Sequence, residues 1–369
     1  MELLQYSEKK FAYEKAKAFQ KGGGKVIGVL DALIPEELIA SFGMLPLRLH
    51  GADETNATLA RNYRMPQSNP FLNSVLEAAL REELQFCSAI ICHNRDEDYL
   101  RLSDLLKALT DIPVYVVDIP IINREETKKR LVSELKALSQ FLAKISGQSA
   151  EESEILYSIK LYNQGREWLR RIYEYSKRAN ISGKELLQLA LSASSMPRFL
   201  FNNLAEEWYQ TIQERKTERT ERTKLIVSSD SLDDARYIEL IESCGCRVVM
   251  NDIDIGSRSF WEPVDETKNV YEALAEHVFS VNLPRFMNWD EQFKQVVSWA
   301  DEFYADGILD FSLRHDEPRA YRGTAFGKYM KKNGYPFMSF EHEYAFSGEG
   351  QLRTRIEAFL EMLSKWREE

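Results

Sequence analysis

Three short stretches of the 369-residue sequence gather side chains that do chemistry. Cys92-His-Asn-Arg-Asp96 sets a thiol, an imidazole and a guanidinium side by side. A thiolate there can bind iron, and Arg95 can hold a phosphate or a carboxylate. The plainer alternative is a half-buried cysteine followed by a polar loop, because a lone Cys is weak evidence of a site. His315-Asp-Glu-Pro318 and Glu341-His-Glu-Tyr344 supply imidazoles and carboxylates, the groups of acid–base catalysis and of metal binding. Solvated loop residues and helix caps are their commoner use. Arg353 and Arg355 open the last helix, where positive charge opposes the macrodipole. They point to an anionic partner or to a carboxylate of the same chain.

Two other patterns carry less. Gly22-Gly-Gly-Lys25 precedes a strand instead of linking strand to helix, and no Ser or Thr follows the lysine. The geometry that cradles a phosphate is therefore missing, and a flexible entry turn is the better reading. Cys244-Gly-Cys246 is too tight for a usual zinc pair and has no second pair to complete it. Gly245 reads as a helix cap, with both thiols packed as small hydrophobes.

The elements that must position these groups follow from breakers and periodicity. A charged helix over about 7–20 is stopped by the glycine run. Val26-Ile-Gly-Val-Leu30 then reads as a buried strand. Pro35 stands where a first helical residue should, with Glu36 and Glu37 in the first turn, and Gly43 ends that helix. Pro46–His50, Ser88–Cys92 and Pro113–Asp118 are further strands, with helices over 70–84 and 96–109. From 123 to 220 there is no strand pattern. Leu131, Leu135, Leu138 and Leu142 follow helical spacing, as do Ile155, Ile159, Leu169 and Ile172. Gln213–Lys224 is almost wholly polar and reads as a solvated helix end and linker.

The alternation then restarts. Strands are expected at 224–229, 247–250, 307–311 and 335–340, with helices at 232–243, 290–304, 319–333 and the C-terminus. The fold expected is α/β, two doubly wound parallel-sheet domains of Rossmann or flavodoxin type with an intervening helical segment. The divisions are a first α/β domain over 1–122, the helical segment and linker over 123–222, and a second α/β domain over 223–369. Ligands of such sheets bind outside the carboxyl ends of the strands, which is where Cys92–Asp96, His315–Pro318 and Glu341–Tyr344 fall.

Composition narrows the function. Acidic residues outnumber basic ones, 58 to 48, for a net charge of −10, which argues against a broad nucleic-acid surface. No apolar run is long enough for a membrane span, and the N-terminus has no apolar secretion core, so a cytoplasmic location is expected. Four cysteines in a chain this long make no disulfide framework.

The order of several motifs resembles one family. Ile34–Arg48, Asp230–Asp234, Asn251–Arg258, Tyr335–Tyr344 and Gly348–Leu363 are similar to corresponding stretches of the 2-hydroxyacyl-CoA dehydratase and benzoyl-CoA reductase family, the 2-hydroxyglutaryl-CoA dehydratase D-component. Gly348–Leu363 is the most specific, and the likeness covers nearly the whole chain.

This resemblance implies a heterodimer of paralogous subunits acting on an acyl-CoA thioester. It also implies a [4Fe–4S] cluster held by three cysteines between two α/β domains, and an ATP-dependent iron–sulfur activator that delivers electrons. The chemistry implied is dehydration of a 2-hydroxyacyl-CoA or reduction of an aromatic ring. The sequence departs from the family at the cluster. The first ligand position falls near Leu59–Tyr63, where there is no cysteine; the second matches Cys92; the third holds His315 or Asp316. Leu283-Pro-Arg-Phe286 resembles a further family Cys-Pro pattern, again without the thiol. Imidazole and carboxylate are poorer cluster donors than thiolate.

Three readings follow. The chain is a subunit of a CoA-thioester dehydratase or reductase whose cluster sits in the partner; or it is a structural or regulatory homologue without chemistry; or it holds an atypical cluster through Cys92, His315 and Asp316. Under the first, the resemblance places Asp31 near a substrate-facing hydroxyl residue of the family. It also places Glu54, beside Asp53, near a family carboxylate, so Asp31 and Glu54 are the candidate catalytic residues and Cys92 and Arg95 the candidate cofactor contacts.

Overall fold

A computed structural model of the protein describes residues 2–51, 57–65, 67–215, 222–281 and 289–366. Each of the eight expected strands forms. β1 (Val26–Val29), β2 (Leu45–Arg48), β3 (Cys87–His93) and β4 (Val114–Val117) make one parallel sheet in the order β2-β1-β3-β4. β5 (Lys224–Ser229), β6 (Arg247–Ile253), β7 (Gly307–Leu313) and β8 (Phe337–His342) make a second in the order β6-β5-β7-β8. The two sheets share one topology. In each the strand order reverses between the first and third strands, which opens a crevice at their carboxyl ends.

Local signals act as their chemistry dictates. Asn69 caps the helix Pro70–Leu80 by accepting the Phe71 N–H at 3.0 Å, and Asp96 caps Glu97–Leu109 through the Tyr99 N–H at 3.0 Å. Pro35 sits one position earlier than expected, at the cap of the short helix Glu36–Ala40. Gly245 follows the helix Ala235–Ser243 with φ +95°, a left-handed turn that glycine makes without strain.

The middle of the chain is four helices, Glu125–Ser146, Glu152–Ser176, Gly183–Ala193 and Arg198–Gln213. They do not form a core of their own. Leu131, Leu135, Leu138 and Leu142 pack against Ile27, Val29 and Ile91 of the first sheet. Leu186, Leu189, Phe201 and Trp208 pack instead with Ile226, Met250 and Ile308 of the second. One helix that periodicity did not single out, Val270–Ser280, crosses back from the second half of the sequence. Its Ala273, Leu274 and Val278 complete the core beside Ile27 and Leu131.

The carboxyl ends of the two sheets face each other. Arg48, the last residue of β2, meets Asp254, the residue after β6, at 2.8 Å. His50 Nδ1 meets Asp233 Oδ2 at 3.1 Å, and the Gly51 N–H donates to the Tyr344 hydroxyl at 2.9 Å.

Candidate functional site

Asp31 follows the end of β1, and His93 ends β3, so the two flank the switch point of the first sheet. Asp31 Oδ2 lies 2.6 Å from His93 Nε2, both side chains fully buried. Asp31 Oδ1 accepts the Leu33 N–H at 2.9 Å. Burial alone would raise this carboxyl, but His93, Arg48 and the Leu33 amide together hold it down at about 2. Asp31 is thus a fixed carboxylate at neutral pH.

The matching place in the second sheet is denser. Asp230 follows β5, Asp252 lies in β6 and Asp310 in β7. Arg258 bonds Asp252 and Asp230, each at 2.6 Å. Arg319 bonds Asp230 at 2.7 Å and also pairs with Asp310. Burial works against the Asp230 carboxylate, and Arg319, Arg258 and Arg95 outweigh it and keep the group far below the usual range. Desolvation makes charges this deep costly, and direct guanidinium–carboxylate bonds offset that cost.

Arg95 reaches this network from the first half of the chain. Its Nη2 is 3.5 Å from Asp230 and 3.6 Å from Asp316. Asp316 caps the helix Glu317–Lys332 by accepting the Arg319 N–H at 3.3 Å. Burial raises its carboxyl to about 6 despite Arg95, with Asp230 adding to the rise.

Of the residues singled out in the sequence, the fold brings Arg95 and Asp316 into contact and sets Asp31 in the same crevice. It sends Cys92 elsewhere. Side chains alternate along a strand, so Cys92 lies with Ile90 on the face covered by Leu102 and Leu106, while His93 turns to Asp31. Burial pushes the Cys92 thiol up to about 12. His315 is exposed, in a left-handed turn at φ +64°. Glu54 and Asp53, like Leu283–Phe286, lie outside the described residues. The late arginines find partners within the chain. Arg353 pairs with Glu349 at 3.2 Å, and Arg355 donates to the Ser339 carbonyl at 3.0 Å.

These placements bear on the iron–sulfur cluster that the family resemblance implies. A cluster ligand is a thiolate facing the metal. Cys92 is instead a protonated thiol inside an apolar core, and Asp316 is engaged with Arg95. Among the described residues, no three His, Cys, Asp or Glu side chains come together as a metal-holding group. Among the described residues, the donors do not fit a [4Fe–4S] cluster.

Beside Asp31 lies a cavity of about 60 Å³. Arg48 and Asp31 stand on its wall with the apolar Leu33, Ile255 and Phe260. Three helices add Arg166, Arg198 and His277. The sequence offered no signal for these three. Each pairs with residues far away in the chain, as Arg166 does with Glu37. His93 was visible beside Cys92, and strict alternation along an extended β3 is the signal that picks it out.

Residues 32–363 match the family described as 2-hydroxyglutaryl-CoA dehydratase, D-component, and the chain belongs to that family. It is 24% identical to the (R)-phenyllactyl-CoA dehydratase beta subunit of Clostridium sporogenes over 94% of both chains. It is 23% identical to the beta subunit of (R)-2-hydroxyglutaryl-CoA dehydratase of Acidaminococcus fermentans, again over 94% of both. A benzoyl-CoA reductase subunit of Thauera aromatica is 20% identical over 93% of this chain and 92% of its own. These relatives are subunits of dehydratases and of a reductase. Among the described residues no helix is long and apolar enough to cross a membrane.

Proposed function

We propose that this chain is the substrate-binding subunit of a complex of the 2-hydroxyacyl-CoA dehydratase or benzoyl-CoA reductase type, acting on a CoA thioester in the cytoplasm. A paralogous partner subunit holds the [4Fe–4S] cluster, and an ATP-dependent iron–sulfur activator supplies its electrons. The observation that supports this most is the contrast inside the crevice. The positions that resemble cluster ligands hold a core thiol and an ion pair, whereas a cavity remains beside Asp31.

Asp31 is a positioning group under this reading. Its carboxylate is ionised, so it accepts a hydrogen bond from a substrate hydroxyl and does not deliver a proton. Glu54 is assigned the acid–base role by its likeness to the family carboxylate. The divisions proposed are 1–122, 123–222 and 223–369, with the thioester entering between the two α/β parts.

The test is iron and acid-labile sulfide per chain, on tagged protein purified without oxygen from its native host, with the mass of whatever co-purifies. A cysteine-complete paralogue carrying all the iron is expected, and Cys92→Ala should leave that iron unchanged. Iron lost with Cys92→Ala would move the cluster into this chain. Protein that purifies alone and metal-free would favour a structural or regulatory homologue.

A further inference from the structure

The two edges of the second sheet are finished differently. Along β6 the chain closes the edge itself. The Val248 N–H donates to the Glu242 carboxylate at 3.1 Å, and the Val248 carbonyl lies so close to Gly183 that a Cβ there would meet it at 2.5 Å. At the other edge stands β8. On its inner side the Pro336 and His342 carbonyls accept the N–H groups of Ile308 and Arg314, each at 2.9 Å. Backbone groups alternate along a paired strand, so those of Phe337, Ser339 and Glu341 point outward. Their N–H groups have no partner among the described residues. The Ser339 carbonyl accepts from the exposed Arg355 at 3.0 Å. An edge left open in this way is a template for a further strand.

A groove of about 580 Å³ runs along this edge, between β8 and the helix Glu317–Lys332. The helix connects β7 to β8 and so runs antiparallel to both. Its first turns lie at the carboxyl end of the strands, where Arg319 pairs with Asp310. Its last turns lie at the amino end, where a Cβ on Gly327 would come within 2.8 Å of the Phe337 ring. Lys328 and Lys331 therefore flank the amino end of β8, and Glu341 stands at its carboxyl end. Both lysines are exposed, and neither side chain has a partner among the described residues. Glu341 and Glu343 share one guanidinium, that of Arg314. One end of the groove is left with positive charge and the other with negative.

That polarity is self-complementary. An antiparallel β8 from a second copy, related by a two-fold axis at Ser339, sets Ser339 opposite Ser339 and Phe337 opposite Glu341. All of these are outward-facing positions, so the register matches the hydrogen bonding of an antiparallel pair. The lysine end of each copy then meets the carboxylate end of the other, twice over, as an isologous contact requires. A parallel addition would set like charge against like. The antiparallel one also covers Phe337 and Met338, which are only half-buried at the edge. Two copies of net charge −10 repel one another in other orientations, so local complementarity selects this one.

We infer that the open edge of β8 is a self-association surface, on which a second copy of this chain pairs antiparallel through Phe337–Glu341. Arg355 holds the Ser339 carbonyl in the single chain and gives way to the Ser339 N–H of the second copy. The pairing joins two four-stranded sheets into one of eight strands. It does not rest on the proposed function, and a complex of the proposed kind would be doubled through it.

The test is sedimentation equilibrium of the full chain. At low salt the natural protein should have the mass of two chains, and its Kd should rise about tenfold at about 1 M salt, where the charge contacts are screened. Lys328→Glu combined with Lys331→Glu makes both ends of the groove acidic, and Glu341→Lys makes both basic. Each variant alone should be a monomer. Mixed in equal amounts, the two should dimerise, because only the mixed pair meets opposite charge at both contacts. Ser339→Pro removes the central outward N–H, a change an edge strand tolerates, and should also give a monomer. Thermal melting checks that each variant folds; should one not fold, the mass of the natural chain still decides. A natural chain that stays single up to about 100 µM overturns the surface. So does a dimer that survives every reversal, or a mixture that remains monomeric. Loss of a co-purifying paralogue in the reversal variants would give this edge to that partner, overturning self-association and leaving the proposed function standing.

Discussion

The two sheets have the same strand order, yet their crevice ends are built differently. At the second, Asp230, Asp252 and Asp310 bond Arg258 and Arg319 directly, charge against charge. At the first, Asp31 pairs with His93, and Arg48, Arg166 and Arg198 line a cavity of about 60 Å³ while each pairs with a carboxylate. Identical topology thus yields a close ionic joint on one side and ion pairs around a cavity on the other. Ion pairs packed directly against one another hold structure, whereas those beside a cavity leave room for a ligand.

The largest test of that contrast is Arg319→Met. Removing one guanidinium from the second network leaves Asp230 and Asp310 short of a partner, and should cost about 3–5 kcal/mol of stability in chemical denaturation. A loss under about 1 kcal/mol would show that the joint does not hold the fold.

Next is Asp316→Asn. The folded carboxyl titrates at about 6, above its ordinary value of 3.8. The group therefore favours folding below pH 4 and loses that contribution as pH rises to 6. Asparagine keeps the helix cap and cannot ionise. The variant should be more stable than the natural chain at pH 7, by up to about 3 kcal/mol. Its stability should be flatter between pH 4 and 6. An unchanged slope in that window would mean Arg95 fully compensates the charge.

The smallest is Asp31→Asn. Here the folded carboxyl is depressed to about 2, so its contribution is present above pH 4 and is lost as pH falls toward 2. The variant should lose about 2 kcal/mol at pH 7 and lack that acid limb. If its denaturation profile matches the natural chain at both pH values, His93 is not held by Asp31.

Much of the fold was readable before the structure. Short apolar runs, each followed by a helical stripe, located all eight strands, because parallel strands are buried on both faces and need little else to mark them. Asp31, Arg95 and Asp316 stood at carboxyl strand ends and do meet the crevice. Cys92 attracted attention over its neighbour because thiols suggest metals. The one-residue phase of β3 decides which side chain turns inward, and a strand ending at residue 92 hides that phase. The aspartates and arginine of the second network lie partly within stretches that resemble the family, Asp230–Asp234 and Asn251–Arg258, but nothing local says they converge. Arg166, Arg198 and His277 were illegible for the same reason. Their partnerships span helices far apart in sequence, so only the packed fold reveals them.

The helix Val270–Ser280 has a consequence for how the molecule is made. It supplies Ala273, Leu274 and Val278 to the core of a sheet whose strands all end by Val117. A nascent chain that has finished those strands still lacks part of their cover until about 150 further residues have left the ribosome, the distance from Val117 to Val270. Domains commonly fold in order as they emerge, but here the first sheet must wait, half-clothed, for the second half of the polypeptide. A fragment cut at the linker near residue 222 would leave the apolar face of Leu131 and Leu135 short of those partners. The polypeptide is in this sense buttoned from its far end, and its two halves become native together.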